Sequence, residues 1–311
     1  MVVVVIPAVA LAALSLASFA GQWVWWLDVL ANFRAQFAVA LVIFGLFLLI
    51  SRWKKVAIGV LVVAGVNLFF VAPLYVGSPG DSDPSAPALR IVNFNLLSDN
   101  ESYAEVIDFI RTTEPDLVFL HEASRPWEVA LGSSNLNYEV IRARSDDLIF
   151  GTLILARDEV EAVSYGYGIT QPRAVSMNYH PDDWPVEVKI LTTHPLAPTT
   201  EERAGLRDAQ LDFAAGWAAD QQGHYLVVGD FNATPWSWPF RNLVASGDLR
   251  NSQLGFGLQP TFSTMSNTIL RVPIDHLLHS DGLRIRDRRL GPSLGSDHFP
   301  LIVDLEYLPA P

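Results

Sequence analysis

Gly229-Asp230-Phe231-Asn232-Ala233-Thr234-Pro235 decides the reading of this 311-residue chain. It follows Tyr225-Leu226-Val227-Val228, a short, β-branched apolar run bounded by turn formers, which predicts a buried strand ending at Gly229. Such a strand delivers Asp230 and Asn232 at its carboxyl edge, where layered α/β proteins place reacting groups. Two residues apart on an extended chain, the carboxylate and the amide point the same way.

Working outward, five further polar clusters sit at or close to the ends of apolar, strand-like runs. Asn95 closes Arg90-Ile91-Val92-Asn93-Phe94, Glu122 follows Leu117-Val118-Phe119-Leu120-His121, and His194 follows Ile190-Leu191-Thr192-Thr193. Asp275 and His276 lie in Pro273-Ile274-Asp275-His276-Leu277, and Asp297 and His298 in Gly295-Ser296-Asp297-His298-Phe299-Pro300. The chain has no cysteine, so disulfides and thiolate metal sites are excluded, and any metal takes oxygen or imidazole ligands. These donors suit a hard divalent cation, Mg2+ or Mn2+, held by one or two carboxylates and otherwise by water and substrate oxygens. They also match what a phosphoryl centre needs. A metal offsets developing charge, a carboxylate or imidazole activates water, and amides and imidazoles hold the non-bridging oxygens.

Around these clusters strand patterns recur at 89–96, 117–120, 148–156, 174–179, 186–193, 274–279, 283–290 and 301–305. Helical spacing is found at 102–113 and 199–219, with a short helix near 240–246. Strand-heavy order with interspersed helices predicts an α/β fold, a two-sheet α/β sandwich with helices outside. Ahead of it, residues 2–20, 33–50 and 56–76 are three charge-poor apolar stretches, each long enough to be read as a transmembrane helix. Trp23, Trp25 and Trp26 fit an interfacial aromatic belt, and Ser51-Arg52-Trp53-Lys54-Lys55 marks a cytoplasmic loop by the positive-inside rule. The expected organisation is a membrane anchor at 1–76, a Gly/Pro/Ser-rich linker at 77–87 and a globular body at 88–311 outside the cytoplasm.

Half of the chain is hydrophobic, 17% is charged, and the net charge is −12. Residues 1–76 hold four cations against the single acid Asp28, so all of the net acidity resides in the remainder. An acidic body lacks the basic surface that extended, nonspecific nucleic-acid binding requires.

The ordered series Asn95, Glu122, His194, Gly229-Asp230-Phe231-Asn232, Asp275 and Ser296-Asp297-His298 resembles the endonuclease/exonuclease/phosphatase superfamily, over about residues 88–307. This is the deoxyribonuclease I-like fold shared by nucleases, sphingomyelinases and inositol-phosphate phosphatases. The apolar head is similar to a bacterial membrane-anchored branch of it. The resemblance implies that Glu122 ligates the metal, with Asn95 and Asp297 close to it or to the phosphate. Asp230 would align or deprotonate the attacking water, and Asn232 would hold that water or a phosphate oxygen. His298, oriented by Asp275, and His194 would contact the scissile phosphate, with Arg173 as a further phosphate contact. His276 is divided between substrate contact and structure. Asn93 is assigned to the opposite face of its strand and a structural role, and Trp236 to packing of its loop.

The expectation is therefore a multi-pass inner-membrane enzyme with a periplasmic, Mg2+- or Mn2+-dependent phosphoesterase domain. It would contact the bilayer through residues 1–76 and act on a lipid headgroup, small molecule or nucleic acid, with no obligate protein partner. The alternatives are an extracytoplasmic nuclease and a noncatalytic binding domain on a membrane anchor.

Overall fold

Four helices precede the body in the computed structural model, which describes residues 2–77, 87–143, 151–158, 160–165, 174–265 and 267–308. They are α1 (Val2–Ala17), α2 (Trp25–Ala31), α3 (Arg34–Leu49) and α4 (Lys54–Val71). Two apolar helical stretches, Val3–Ala20 and Lys54–Leu74, are long enough to cross a membrane. Of the three expected spans, the middle one is a bent helix pair, which counts as a span only if both helices are taken together. There α3 has 16 residues, short of the roughly 20 that a bilayer requires, and α2 is bent from it by 67°. The bend has a local cause: α2 and the residue after it spend their polar groups on the body. Asp28 accepts hydrogen bonds from Arg207 (2.9 Å) and from the Trp238 amide (2.6 Å), and Asn32 Oδ1 accepts from the Thr234 amide and hydroxyl (3.2 and 2.9 Å). Arg34 instead donates inside the head, to Ser18 Oγ at 3.0 Å and Asn67 Oδ1 at 3.3 Å. Of the expected linker, residues 78–86 lie outside the described residues.

The body contains β1 (Leu89–Asn95), β2 (Leu117–His121), β3 (Glu139–Ala143), β4 (Thr152–Ala156), β5 (Glu161–Tyr165) and β6 (Ala174–Tyr179). It continues with β7 (Val188–Thr192), β8 (His224–Asp230), β9 (Arg250–Asn251), β10 (Asp275–His279), β11 (Leu283–Leu290) and β12 (Leu301–Tyr307). These form two six-stranded sheets, ordered β11-β12-β1-β2-β4-β3 and β5-β6-β7-β8-β10-β9. Each has one parallel pair at its centre, β1 with β2 and β7 with β8, and antiparallel neighbours on both sides.

Side-chain alternation sorts the strands into layers. Ile91, Phe119, Ile190, Val228 and Leu277 pack between the sheets. The intervening residues Val92, Phe94, Val118 and Leu120 face α5 (Tyr103–Thr113) and α6 (Arg125–Gly132). On the other sheet Leu191, Val227 and Leu278 face α7 (Glu201–Ala219) and α8 (Trp238–Ser246). With both faces covered, the central strands are apolar on both sides over most of their length, which is why they read as largely hydrophobic runs. The two-sheet α/β sandwich expected from the sequence is the fold observed.

Candidate active site

The site grows out of the inner face of the sandwich. Along β1 that face carries Leu89, Ile91, Asn93 and Asn95; along β2, Leu117, Phe119 and His121; along β8, Leu226, Val228 and Asp230. Asp275 opens β10 directly opposite Asp230 in the register. The core thus turns from apolar to polar at one end, beyond the carboxyl edges of both parallel pairs.

Gly229 lets the second sheet close on this end. Its φ is +155°, and a Cβ there would lie 1.9 Å from the Thr193 carbonyl oxygen. Only glycine permits β8 and the chain after β7 to approach so closely, and that approach sets Asp230 beside His194. Glu122 and Asn232 both adopt left-handed backbone, at φ 54° and 48°, one and two residues after their strands. Ser296 fixes the third segment: its hydroxyl donates to the Asn95 carbonyl (2.7 Å) and accepts from the His298 amide (3.0 Å).

A chain of acids and imidazoles results. His298 Nδ1 donates to Asp275 Oδ2 at 2.8 Å, and its Nε2 lies 3.7 Å from Asp230 Oδ2 and 3.9 Å from Asp297 Oδ1. Asp230 Oδ2 accepts from Asn95 Nδ2 (3.1 Å) and lies 3.5 Å from His194 Nε2. Asn95 Nδ2 also reaches Glu122 Oε1 at 3.0 Å, which is 3.9 Å from His194 Nε2. Asn232 donates its backbone amide to Asp230 Oδ1 (2.9 Å) and its side-chain amide to the Pro195 carbonyl (3.0 Å). Asn95, Glu122, His194, Asp230, Asn232, Asp275, Asp297 and His298 are therefore brought together as the sequence led us to expect.

Burial and charge set the protonation states. Burial alone disfavours the His298 imidazolium, but Asp275 and Asp230 outweigh it and push its pKa up to about 10. Asp230 is raised, by burial and then by the like charge of Asp275. Asp275 is lowered: burial opposes its charge, while His298 and the hydrogen bonds it accepts hold it ionised. The result is a carboxylate–imidazolium pair facing a second, more basic carboxyl.

Two donor sets bear on metal binding. Asp230, Asp275 and His298 each bring one ligand atom within 4.8 Å of the others, a group that could hold an ion. In it, however, the raised pKa of His298 keeps the imidazole protonated near neutral pH, and a ligating imidazole must be neutral. Glu122 and Asp297 are less buried, and the Asn95 amide nitrogen donates to Glu122 at 3.0 Å. The Asp297 carboxyl is pushed up by burial and further by the like charge of Glu122, against the pull of His298. Two neighbouring acids offer oxygen donors of the kind that a hard divalent cation takes.

His276 is not brought to the site. It lies on the outer face of β10 with no exposure, donates through Nε2 to the Ala233 carbonyl (2.8 Å), and packs against Phe231 and Phe240. Strand alternation is the physical reason: the neighbour of an inward Asp275 points outward. The same rule corrects Asn93, which shares its face with Asn95 and underlies the site. Asn93 donates to Asp275 Oδ1 (3.1 Å) and accepts from His121 Nε2 (3.0 Å). Counting two residues back from Asn95 is the signal that finds it. Trp236 packs as expected, with Nε1 donating to the Phe70 carbonyl at the end of α4 (3.0 Å). Arg173 lies outside the described residues.

The model of the Endonuclease/Exonuclease/phosphatase family matches residues 92–298, a span that holds every residue of this cluster. The chain belongs to that family. No curated protein matches it in sequence. Solved structures share the fold. A humanized D. rerio TDP2 carrying 14 mutations is 17% identical, covering 70% of this chain and 99% of its own, with a TM-score of 0.59. The endonuclease/exonuclease/phosphatase from Bacteroides vulgatus is 16% identical, with 71% and 99% covered and a TM-score of 0.59. The human Nocturnin catalytic domain, with bound sulfate, is 19% identical, with 71% and 94% covered and a TM-score of 0.56. Each covers about 70% of this chain and shows that the fold is shared.

Proposed function

We propose that this family member is a membrane-anchored, divalent-metal-dependent phosphoesterase that hydrolyses a phosphodiester or phosphomonoester by in-line attack of water. The observation that carries the reading is His298, held by Asp275 at 2.8 Å and aimed with its other nitrogen at Asp230, 3.7 Å away. Asp230, with its raised pKa, accepts a proton from the attacking water more readily than an ordinary carboxylate does. The water oxygen forms the new bond to phosphorus as the bond to the leaving oxygen breaks. The leaving oxygen departs with the electron pair and is protonated from solvent. The imidazolium of His298, with His194, holds the non-bridging oxygens as their charge grows, and Asn232 keeps Asp230 in place through its amide. A bound Mg2+ or Mn2+ supplies charge compensation at the phosphate, and Glu122 and Asp297, with the amide of Asn95, would hold it. Arg173 is retained as a further phosphate contact.

The body is assigned to the periplasmic face of an inner membrane. Arg52, Lys54 and Lys55 lie around the turn between α3 and α4, at the opposite ends of those helices from Gln36 and Phe70, which bond to the body. The bilayer and the phosphate ester are the partners this reading requires.

The test uses the full chain in detergent with bis-nitrophenyl phosphate, nitrophenyl phosphate, plasmid DNA and phospholipid micelles, each with Mg2+, Mn2+ or EDTA. Turnover that needs metal and is lost in His298→Ala and Asp230→Asn supports the reading. A folded, metal-binding chain with no turnover on any of them overturns it in favour of a binding module.

A further inference from the structure

Residues 262–271, described except at 266, connect the catalytic end of the sandwich to the membrane-facing helices. One end touches the site. The Phe262 ring lies 4.9 Å from that of His298, and Thr264 donates its amide to the Asp297 carbonyl (2.8 Å) and its hydroxyl to the Ser296 carbonyl (2.7 Å). The other end touches the head, where Gln36, in the first turn of α3, donates to the Arg271 carbonyl at 3.0 Å. Arg271 ties the ends together: its guanidinium lies 5.0 Å from the centre of the Phe299 ring and donates back to the Thr264 carbonyl at 3.3 Å.

Between these anchors the segment is apolar and open. Met265 is 71% exposed, Ile269 70% and Leu270 55%. Three large aliphatic side chains on one short segment are an unusual outlay of apolar surface to water, at about 25 cal/mol for each Å2. Their position says what covers them. Ile269 and Leu270 precede Arg271 by two residues and one, so the chain cannot carry them more than about 7 Å from the residue that Gln36 holds. They therefore lie beside the first turn of α3. That helix packs on α4, part of the Lys54–Leu74 stretch that is long and apolar enough to cross a membrane. The apolar medium continuous with that position is the bilayer.

We propose that Met265, Ile269 and Leu270 form a bilayer-contacting edge that seats the catalytic opening on the membrane surface, so that the phosphate taken there is that of a phospholipid headgroup. The contact stands on placement alone, whereas the substrate half rests on the phosphoesterase reading. The same backbone that meets lipid at Ile269 and Leu270 meets Asp297 and His298 at Thr264 and Phe262. A headgroup at the bilayer surface is then within reach of the acids and imidazoles without leaving the membrane.

The absence of native cysteine makes the test direct. Single Met265→Cys, Ile269→Cys and Leu270→Cys variants of the full chain, with Asp108→Cys on exposed α5 as the aqueous control, are labelled with a nitroxide and reconstituted in phosphatidylglycerol/phosphatidylcholine vesicles. Labels at 265, 269 and 270 are expected to collide with oxygen in preference to a water-soluble nickel chelate, and the label at 108 the reverse. Water-like collisions at all three positions overturn the contact whatever the activity. For the second half, Ile269→Ser/Leu270→Ser is expected to slow turnover of vesicle phospholipid at least fivefold while leaving bis-nitrophenyl phosphate turnover unchanged. Lipid-exposed labels with equal loss, or no loss, on both substrates overturn presentation. Lipid-exposed labels on a protein with no turnover of either substrate overturn the enzymatic reading and leave the contact standing.

Discussion

Asp28 and Arg207, 179 residues apart in sequence, form a buried ion pair at 2.9 Å that joins the N-terminal helices to the loop after β8. Arg207 donates onward to the Asn232 carbonyl at 3.3 Å, and Asp28 also takes the first free amide of α8. Neither residue faces substrate, yet the loop that carries Asp230 and Asn232 is held partly from the head. In Asp28→Ala the guanidinium of Arg207 loses this partner in the interior, which typically costs about 3–5 kcal/mol. The expected outcome is a clearly lower midpoint of thermal unfolding in detergent, with kcat falling more than KM rises. An unchanged midpoint would show that Asp208 and the Asn232 carbonyl suffice for Arg207.

Asp275→Asn keeps the size of the side chain and removes the charge that holds His298 as an imidazolium. Substitution of the orienting acid in comparable acid–imidazole pairs costs on the order of 10⁴-fold in kcat. A loss between about 10²-fold and 10⁴-fold is expected, with little change in KM and an acid-shifted high-pH limb of the rate profile. Steady-state kinetics from pH 5 to 10 checks it.

Gly229→Ala is expected to be disproportionately damaging for a single methyl. The new carbon would collide with the Thr193 carbonyl, and alanine is strained at a φ of +155°. Destabilisation beyond about 1 kcal/mol is expected, together with loss of activity as Asp230 and His194 move apart. Denaturant midpoints and kcat measured on the same preparation report both.

His276 gives the body a built-in acid sensitivity. Burial, then the charge of Arg288, lowers its pKa to about 3, whereas an unfolded histidine titrates near 6.5. Between those values the unfolded chain binds a proton that the folded chain does not. The stability contribution is therefore complete above pH 6.5 and declines as pH falls towards 3, by about 1.4 kcal/mol per pH unit. His276→Gln removes that component. The drop in unfolding midpoint between pH 7 and pH 5 is expected to be smaller in the variant than in the parent.

What could be read in the sequence was what strand periodicity controls. Asn95, Glu122, His194 and Asp230 each follow an apolar run, Asp275 begins one and His298 precedes one. Sandwich geometry gathers such ends at one edge. Asn93 is misplaced by one step of the same alternation, and that alternation also decides the open reading of His276, a parity that the residues themselves contain. Short elements such as α6 and β5 have too few turns or alternations to stand out. The head–body contact was illegible for a different reason. Asp28 and Asn32 resemble ordinary polar residues of an interhelical connection, and their partners, Arg207 and Thr234, are brought to them only by tertiary folding.

The division of the clustered acids, amide and imidazoles between the sheets has a consequence for how this protein fails. Asn95, Glu122 and His298 belong to strands or strand ends of one sheet, whereas His194, Asp230 and Asp275 belong to the other. The His298–Asp275 bond crosses from sheet to sheet. Neither half, cut free by a protease or released by partial melting, retains a usable subset, and a small slip of one sheet across the other would disarm the centre before the molecule lost its secondary structure. Turnover is then a more sensitive gauge of an intact sandwich than circular dichroism, and a damaged copy is silent rather than a hydrolase of reduced discrimination.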